Sequence, residues 1–218
     1  KKIIKEAKVV ITPSQFLKNQ INEITKKGNF RVIPNGIDPN KFKPMKKENR
    51  ILVVARLFEN KGVQDILDAL NNEQLKQELK KGNWKIDIVG EGPYRTFLEN
   101  KAKENSITDI VTFHGWVDNN SKQMKDFYGK SKIFISASYF ESFGLTLLEA
   151  MSAGCYPIVS NIDSHVEIVP SSYTFKVKDS NELKDKIRQK ISKNIKPNIN
   201  LNGFYWNNLI KNYSGVLK

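Results

Sequence analysis

The chain has 218 residues and a formal charge of +13, from 36 Lys and Arg against 23 Asp and Glu. That length suits one large domain, or one domain with a piece of another, and no apolar run is long enough for a transmembrane helix. Cys155 is the only cysteine, which excludes an internal disulfide and a cysteine-rich zinc site and makes a reducing, cytoplasmic setting the expectation. The opening stretch KKIIKEAKVVITPS is too interrupted by charge to read as a signal peptide. The lysines are dispersed and Arg is scarce. Aromatic residues are not interleaved with them as an RNA-binding sheet requires, so nucleic acid is not an expected partner. The same charge leaves a weak attraction to an anionic membrane surface, a peripheral contact rather than a span.

Residues 8–33 read as a strand (9–12), a helix from Ser14 to about Ile24 and a short strand (31–33), the last pieces of a preceding domain. Pro34-Asn35-Gly36 is a turn signal and the expected hinge. Strand-length apolar runs follow at 51–55, 85–89, 110–113, 132–136, 156–160 and 173–177. Most are near-continuous, as in strands buried on both faces. Helical stripes separate them. One is Val63, Ile66, Leu67 and Leu70, and another is Tyr94, Phe97, Leu98 and Ala102. The third, Leu183, Ile187 and Ile191, is opened by Asp179 and Glu182 as a capping pair. Strand and helix in alternation predict an α/β fold: a Rossmann-like parallel sheet of about six strands with helices on both faces. After an Asn- and Pro-containing linker around 196–202, Trp206, Leu209, Ile210 and Tyr213 mark a last helix that packs back toward the first segment. Residues 1–36 are thus the tail of an N-terminal domain with its linker, 37–200 the Rossmann-like unit and 201–218 the closing helix.

Ligands of open α/β sheets bind beyond the carboxyl ends of the strands, so the residues after each strand carry the functional argument. Arg56 follows the first run, with Lys61 and Gly62 at the next helix start. Gly90-Glu91-Gly92-Pro93 follows the second run and His114-Gly115-Trp116-Val117 the third. The segment ESFGLTLLEAMSAG follows the fourth. Arg56 offers a planar fork of donors and Lys61 a mobile point charge, both suited to phosphate. Glu141 and Glu149 flank a glycine turn and helix start, with Glu149 about a turn and a half into the helix. Amides at a helix N-terminus attract an anion such as a diphosphate. Carboxylates beside them accept hydrogen bonds from sugar hydroxyls, and Gly144 permits close backbone approach. The combination suits a sugar joined to a nucleotide.

Each feature has a bland counterpart. Arg56 and Lys61 also read as solvated surface cations, Glu149 as a solvent-facing side chain, and Trp116-Val117 as loop packing. Gly90-Glu91-Gly92-Pro93 also reads as a tight turn with Pro in the first helical turn. It departs from the dinucleotide fingerprint because Pro93 and Arg95 stand where the pattern would continue, which argues against a nicotinamide oxidoreductase. His114 reads as a packed or hydrogen-bonded histidine, and His165, in a loop, as open to a substrate contact. Neither has a second His or Cys at ligand spacing, so no metal is expected.

In their order these motifs resemble the C-terminal, donor-binding half of a retaining glycosyltransferase of family 4, with the GT-B fold. RVIPNGID resembles the interdomain linker and VVARLFENKG the phosphate segment. DIVGEGP, FHGWV and ESFGLTLLEAMSAG follow, and FYWNNLIKNY resembles the closing helix. The resemblance implies catalytic roles for Arg56 and Lys61, on the donor diphosphate, and for Glu141, on the transferred sugar. It implies donor binding by Glu149 at the ribose, by Phe143, Gly144 and Leu145 through backbone amides, and by Gly90 and Val117 near the nucleoside. The implied reaction moves a hexosyl group from a UDP- or GDP-sugar to an acceptor hydroxyl, with retention, without metal or other cofactor. The acceptor, a glycan or lipid, would be held by an N-terminal domain of which this chain has only a remnant, so the fragment alone is expected to be inactive. The stretch from Asp163 to Glu167 follows the family's loop only loosely. Ser171 to Phe175 replaces a glycine-rich stretch, and Cys155-Tyr156 stands where smaller residues are common. The alternative is a non-catalytic nucleotide-binding regulatory domain of the same fold.

Overall fold

The structure, a computed structural model, describes residues 2–26, 28–193 and 197–216. The first segment comprises α1 (Lys2–Glu6), β1 (Val10–Thr12), α2 (Gln15–Thr25) and β2 (Phe30–Val32). β1 and β2 pair in parallel as a separate two-stranded sheet, Ile11 opposite Arg31. Ser14 caps α2 by accepting the N–H of Leu17 at 3.0 Å, the function for which a short polar side chain is favoured there.

The main unit runs β3 (Glu48–Val54), α3 (Val63–Leu70), α4 (Glu73–Lys81), β4 (Lys85–Val89), α5 (Arg95–Glu104) and β5 (Val111–Gly115). It continues with α6 (Lys122–Lys130), β6 (Ser131–Ser136), α7 (Leu145–Ser152), β7 (Tyr156–Ser160), α8 (Asp163–Val166), β8 (Thr174–Phe175) and α9 (Ser180–Ile191). The closing helix α10 is Trp206–Ser214. The six strands form one parallel sheet in the order β5-β4-β3-β6-β7-β8. The order reverses between β3 and β6, the place where open α/β sheets part to admit a ligand.

The period of two along β3 explains how both faces are covered. Ile51 and Val53 join the cluster under α3, α5 and α9, whereas Leu52 joins Phe134, Leu147 and Leu148 on the face covered by α6 and α7. Each such fully buried Leu or Phe stabilises the fold by roughly 1.5–3 kcal/mol relative to exposure. Asp179 accepts the N–H of Glu182 at 2.9 Å and caps α9, while the Glu182 carboxylate takes the N–H of Lys176.

Several boundaries differ from the sequence expectation. β3 begins at Glu48 rather than 51, because Glu48 and Arg50 form an ion pair at its polar amino end and so conceal the strand from an apolar count. β8 has two residues rather than 173–177, since a 3₁₀ turn occupies Ser171–Tyr173. Residues 163–166 are helical rather than loop. Phe97 is 46% exposed and stacks on Tyr94 at 4.5 Å instead of joining the core. Pro34-Asn35-Gly36 make no turn. They form a strap held by the bridge between Ile37 and Tyr205 and by the Trp206 ring, which lies so close to Gly36 that a Cβ there would come within 2.4 Å of it. α10 therefore packs on this strap, with the Tyr213 hydroxyl donating to the Pro34 carbonyl at 3.3 Å. Lys196, in the expected linker, lies outside the described residues.

Candidate active site

The loops after β3 and β6 meet because Gly62 has no Cβ: its φ is +65°, and a Cβ would fall 2.0 Å from the Ala137 carbonyl oxygen. The Tyr139 N–H donates to the Asn60 carbonyl at 2.9 Å across the same junction. This contact brings Lys61 to Glu141. The Lys61 ammonium donates to Glu141 Oε1 at 2.6 Å, and Ser138 Oγ donates to the same oxygen at 2.9 Å. The two side chains are only 12% and 25% exposed, so the pair is partly withdrawn from solvent. Among the described residues, Glu141 Oε2 has no partner.

Gly144 opens α7 with φ +107°, a left-handed conformation that other residues adopt only with strain. The N–H groups of Phe143, Gly144 and Leu145 donate to no backbone carbonyl among the described residues. They are the orphan donors of a helix N-terminus, available to an anion. Phe143 is buried and anchors the turn, whereas Leu145 is exposed.

His165 supports this turn from beneath. Its ring lies 3.5 Å from the position a Gly144 Cβ would take, and it is buried. Nδ1 stands 2.9 Å from the Ser160 carbonyl, which can only accept, so Nδ1 carries the proton. Burial lowers the imidazole pKa and keeps the ring neutral. The expectation of a loop histidine open to substrate is thus corrected: α8 folds the residue into the interior.

Glu149 is not a solvent-facing side chain. Tyr128, fully buried, donates its hydroxyl to Oε2 at 2.9 Å, and Asn119 donates to Oε1 at 3.3 Å. Burial, with the Glu149 charge second, raises the Tyr128 pKa far above the usual phenol, so this donor stays protonated. Glu149 lines a cleft of about 290 Å³ shared with Asp38, Asn119, Leu145 and Trp206. Glu141 lines a separate hollow of about 250 Å³. The two carboxylates therefore open to different spaces on either side of the Gly144 turn. A hollow of about 620 Å³ lies at the opposite, amino end of the strands beside Lys47, Ile133 and Tyr156 and contains none of these residues.

Arg56 stands exposed at the end of β3 with its guanidinium 5.4 Å from the Phe58 ring, and it has no carboxylate partner among the described residues. Gly90 (φ +139°) allows the loops after β3 and β4 to touch: a Cβ there would fall 1.9 Å from the Ala55 carbonyl. Its N–H already donates to the Gly115 carbonyl at 2.8 Å, so Gly90 serves close approach and has no amide free for a phosphate. Val117 packs against the apolar cluster beneath the rim, while Trp116 is 75% exposed. His114 lies within β5 and contacts Asp87 at 2.7 Å, a packed histidine. Among the described residues, no three His, Cys, Asp or Glu side chains stand close enough to hold a metal ion.

Sequence reasoning missed Ser138, Tyr128 and Asn119, which orient the two carboxylates. Ser138 lies only three residues before Glu141 and was within reach of a local argument; Tyr128 and Asn119 come from another strand–helix unit and carry no local signal. It also missed how the first segment grips this rim. Ser14 Oγ donates to the Ser142 carbonyl at 2.8 Å, and the Glu167 carboxylate accepts the N–H groups of Gln15 and Phe16 at 2.8 and 2.7 Å.

Residues 36–200 match the family described as glycosyl transferases group 1. The chain is 30% identical over 183 residues to the alpha-monoglucosyldiacylglycerol synthase of Streptococcus pneumoniae, a match covering 76% of this chain and 40% of that protein. The chain thus spans less than half the length of this relative. The sucrose-phosphate synthase of Thermosynechococcus elongatus superposes with a TM-score of 0.79 at 22% identity, covering 99% of this chain and 59% of the other. HepE of Anabaena, solved with UDP and glucose, gives a TM-score of 0.72 at 20% identity, covering 87% and 55%. Both structural likenesses speak for the fold. With its switch-point site and the match over residues 36–200, this chain belongs to the glycosyl transferases of group 1.

Proposed function

We propose that the chain is the donor-binding half of a retaining glycosyltransferase that moves a hexosyl group from a UDP- or GDP-sugar to an acceptor hydroxyl. The observation that carries this reading is the Lys61–Glu141 contact beside the unpaired amides around Gly144. It sets a cation, a carboxylate and a helix terminus with unengaged amides on one rim, groups suited to a diphosphate and a sugar. The UDP and glucose held by the Anabaena structure support a nucleotide-sugar as the ligand.

In this reading the diphosphate lies between Lys61, Arg56 and the amides of Phe143, Gly144 and Leu145. As the bond to the sugar lengthens, charge grows on the departing diphosphate, and donors already in place stabilise that charge without reorganising. Glu141 orients the sugar through hydroxyl contacts. It is not assigned as a hydrolase nucleophile, which would work with a second carboxyl group across the scissile bond; Glu149 instead accepts from the ribose. Gly90 and Val117 line the nucleoside side. No metal or other cofactor has a part in the scheme. The acceptor glycan or lipid is assigned to an N-terminal domain, and the enzyme to the cytoplasm, with its positive charge favouring a peripheral contact with an anionic membrane. No described helix is long and apolar enough to cross one.

Calorimetry of the folded chain with UDP, GDP and ADP tests the reading. Binding of one diphosphate that Arg56→Ala abolishes is the expected result. A folded sample that takes up none of them overturns it.

A further inference from the structure

The hollow of about 620 Å³ at the amino ends of the strands is lined by Lys47, Lys132, Lys190 and Lys193. Among the described residues no Asp or Glu lines it, although the chain carries 23 of them. Ile133, Met151 and Tyr156 supply apolar surface between the cations. Lys47 has a structural task. Its ammonium donates to the Ser131 and Ala153 carbonyls at 2.7 and 2.6 Å and ties the start of β6 to the end of α7. The half-buried Lys132 and Lys190 are less engaged. Lys132 gives one of its three ammonium protons to Asn49 Oδ1, at 2.6 Å. Lys190 Nζ stands 4.5 Å from the centre of the Tyr156 ring and forms no hydrogen bond or ion pair among the described residues. The other cations of α9 are paired: Lys184 with Asp185, Lys186 with Glu182 and Arg188 with Glu78. Pairing stops where the helix reaches the hollow.

The α9 macrodipole favours cations near its carboxyl end and so accounts for Lys190 and Lys193. It does not account for Lys132 at the amino end of β6, or for a wall without carboxylates. Like charges around one space repel one another, and a concave site of one sign concentrates counter-ions. A phosphate monoester carries about −1.5 to −2 at neutral pH, more than a carboxylate. Its oxygens can accept from ammonium groups on separate elements. The apolar surface suits an organic body attached to that phosphate, and the volume falls within the roughly 300–1,000 Å³ of small-molecule sites.

We propose that this hollow is a second binding site, for a phosphate monoester with an apolar body, and that Lys132 and Lys190 hold its phosphate. The site lies at the end of the sheet opposite the Gly144 rim and is independent of the donor reading. The same chemistry is offered by a soluble organic phosphate and by the headgroup of an anionic lipid.

Calorimetry of the 218-residue chain with hexyl phosphate, and with hexanol as its uncharged counterpart, tests the site. Hexyl phosphate is expected to bind and hexanol not to bind. Lys132→Gln and Lys190→Gln should each weaken hexyl phosphate by about fivefold or more, and Lys184→Gln, on the same helix but outside the hollow, by less than about twofold. The Lys190 ammonium holds no other side chain by a hydrogen bond among the described residues, so Lys190→Gln tests the site even where Lys132→Gln lowers stability. Vesicles of phosphatidylglycerol separate the two sources. Vesicle binding that hexyl phosphate displaces assigns the site to a lipid headgroup, and a hexyl phosphate isotherm that the vesicles leave unchanged assigns it to a soluble phosphate. A folded chain that takes up no hexyl phosphate overturns the site, as does equal binding of hexanol. Affinity unchanged in both Lys132→Gln and Lys190→Gln, as when the phosphate settles at the Gly144 rim, also overturns it. So does an equal loss in Lys184→Gln, the result expected of diffuse charge alone.

Discussion

Lys61 Nζ lies 2.6 Å from Glu141 Oε1, joining a cation from the loop after β3 to a carboxylate from the loop after β6. Because both groups are largely shielded, removing one leaves the other poorly solvated. Lys61→Ala is expected to destabilise the fold by about 1–3 kcal/mol and to weaken diphosphate binding by about tenfold or more. Urea unfolding and calorimetry read the two effects separately. Unaltered diphosphate affinity would remove Lys61 from the site.

Gly144 tests the turn itself. Its nearest neighbours would meet a new Cβ at 3.5 Å, an ordinary contact, so the difficulty is conformational rather than steric. At φ +107°, Gly144→Ala should cost about 1–3 kcal/mol of stability. It should also weaken nucleotide diphosphates more than nucleosides, since the displaced amides are those assigned to phosphate. Equal loss for both ligands would place the amides elsewhere.

Tyr128 and Glu149 form the other half of the site. Tyr128→Phe removes the closer of two donors and leaves Glu149 with Asn119 at 3.3 Å. Hydrogen bonds to charged groups contribute about 1.5–3 kcal/mol, so a loss of that order is expected in chemical denaturation. Affinity for a ribonucleotide should fall more than that for its 2′-deoxy analogue, because the carboxylate proposed to accept the ribose hydroxyls loses its orientation.

His165 gives stability a dependence on pH. Burial holds its folded pKa below the ordinary 6.5, so below that value the unfolded chain binds the proton first. Stability from this residue is therefore present above about pH 6.5 and declines as pH falls toward the folded pKa. In His165→Asn the denaturation free energy should fall less between pH 7 and 5 than in the wild type. Parallel profiles would show that another group controls this range.

Ser14 links the first segment to the rim, since its hydroxyl caps α2 and donates to the Ser142 carbonyl. Ser14→Ala should cost about 1 kcal/mol through the lost cap. Hydrogen exchange should rise at the amides of residues 15–17. An unchanged exchange pattern would show that Glu167 alone holds the helix end.

Apolar runs at 85–89 and 156–160 coincide with β4 and β7, because these strands are buried on both faces and little else can occupy them. Legibility fails where a strand has polar company. Glu48 and Arg50 hide the start of β3, and α4 announces itself only by Leu75 and Leu79. The short α8 is similarly obscure: four residues give too little of a helical period to be seen, yet the helix decides that His165 is interior.

The chain alone determined the alternation of strand and helix, the glycine turn before α7 and the rim on which Arg56, Lys61, Glu141 and Glu149 fall. All of these follow from local periodicity and from the backbone freedom of single residues. Only the tertiary structure decided that Lys61 holds Glu141 across 80 positions, that Tyr128 lies under Glu149 and that the Gly90 amide is already engaged. A hydrogen bond between distant segments depends on how packed elements bring their ends together, and no local pattern contains that distance.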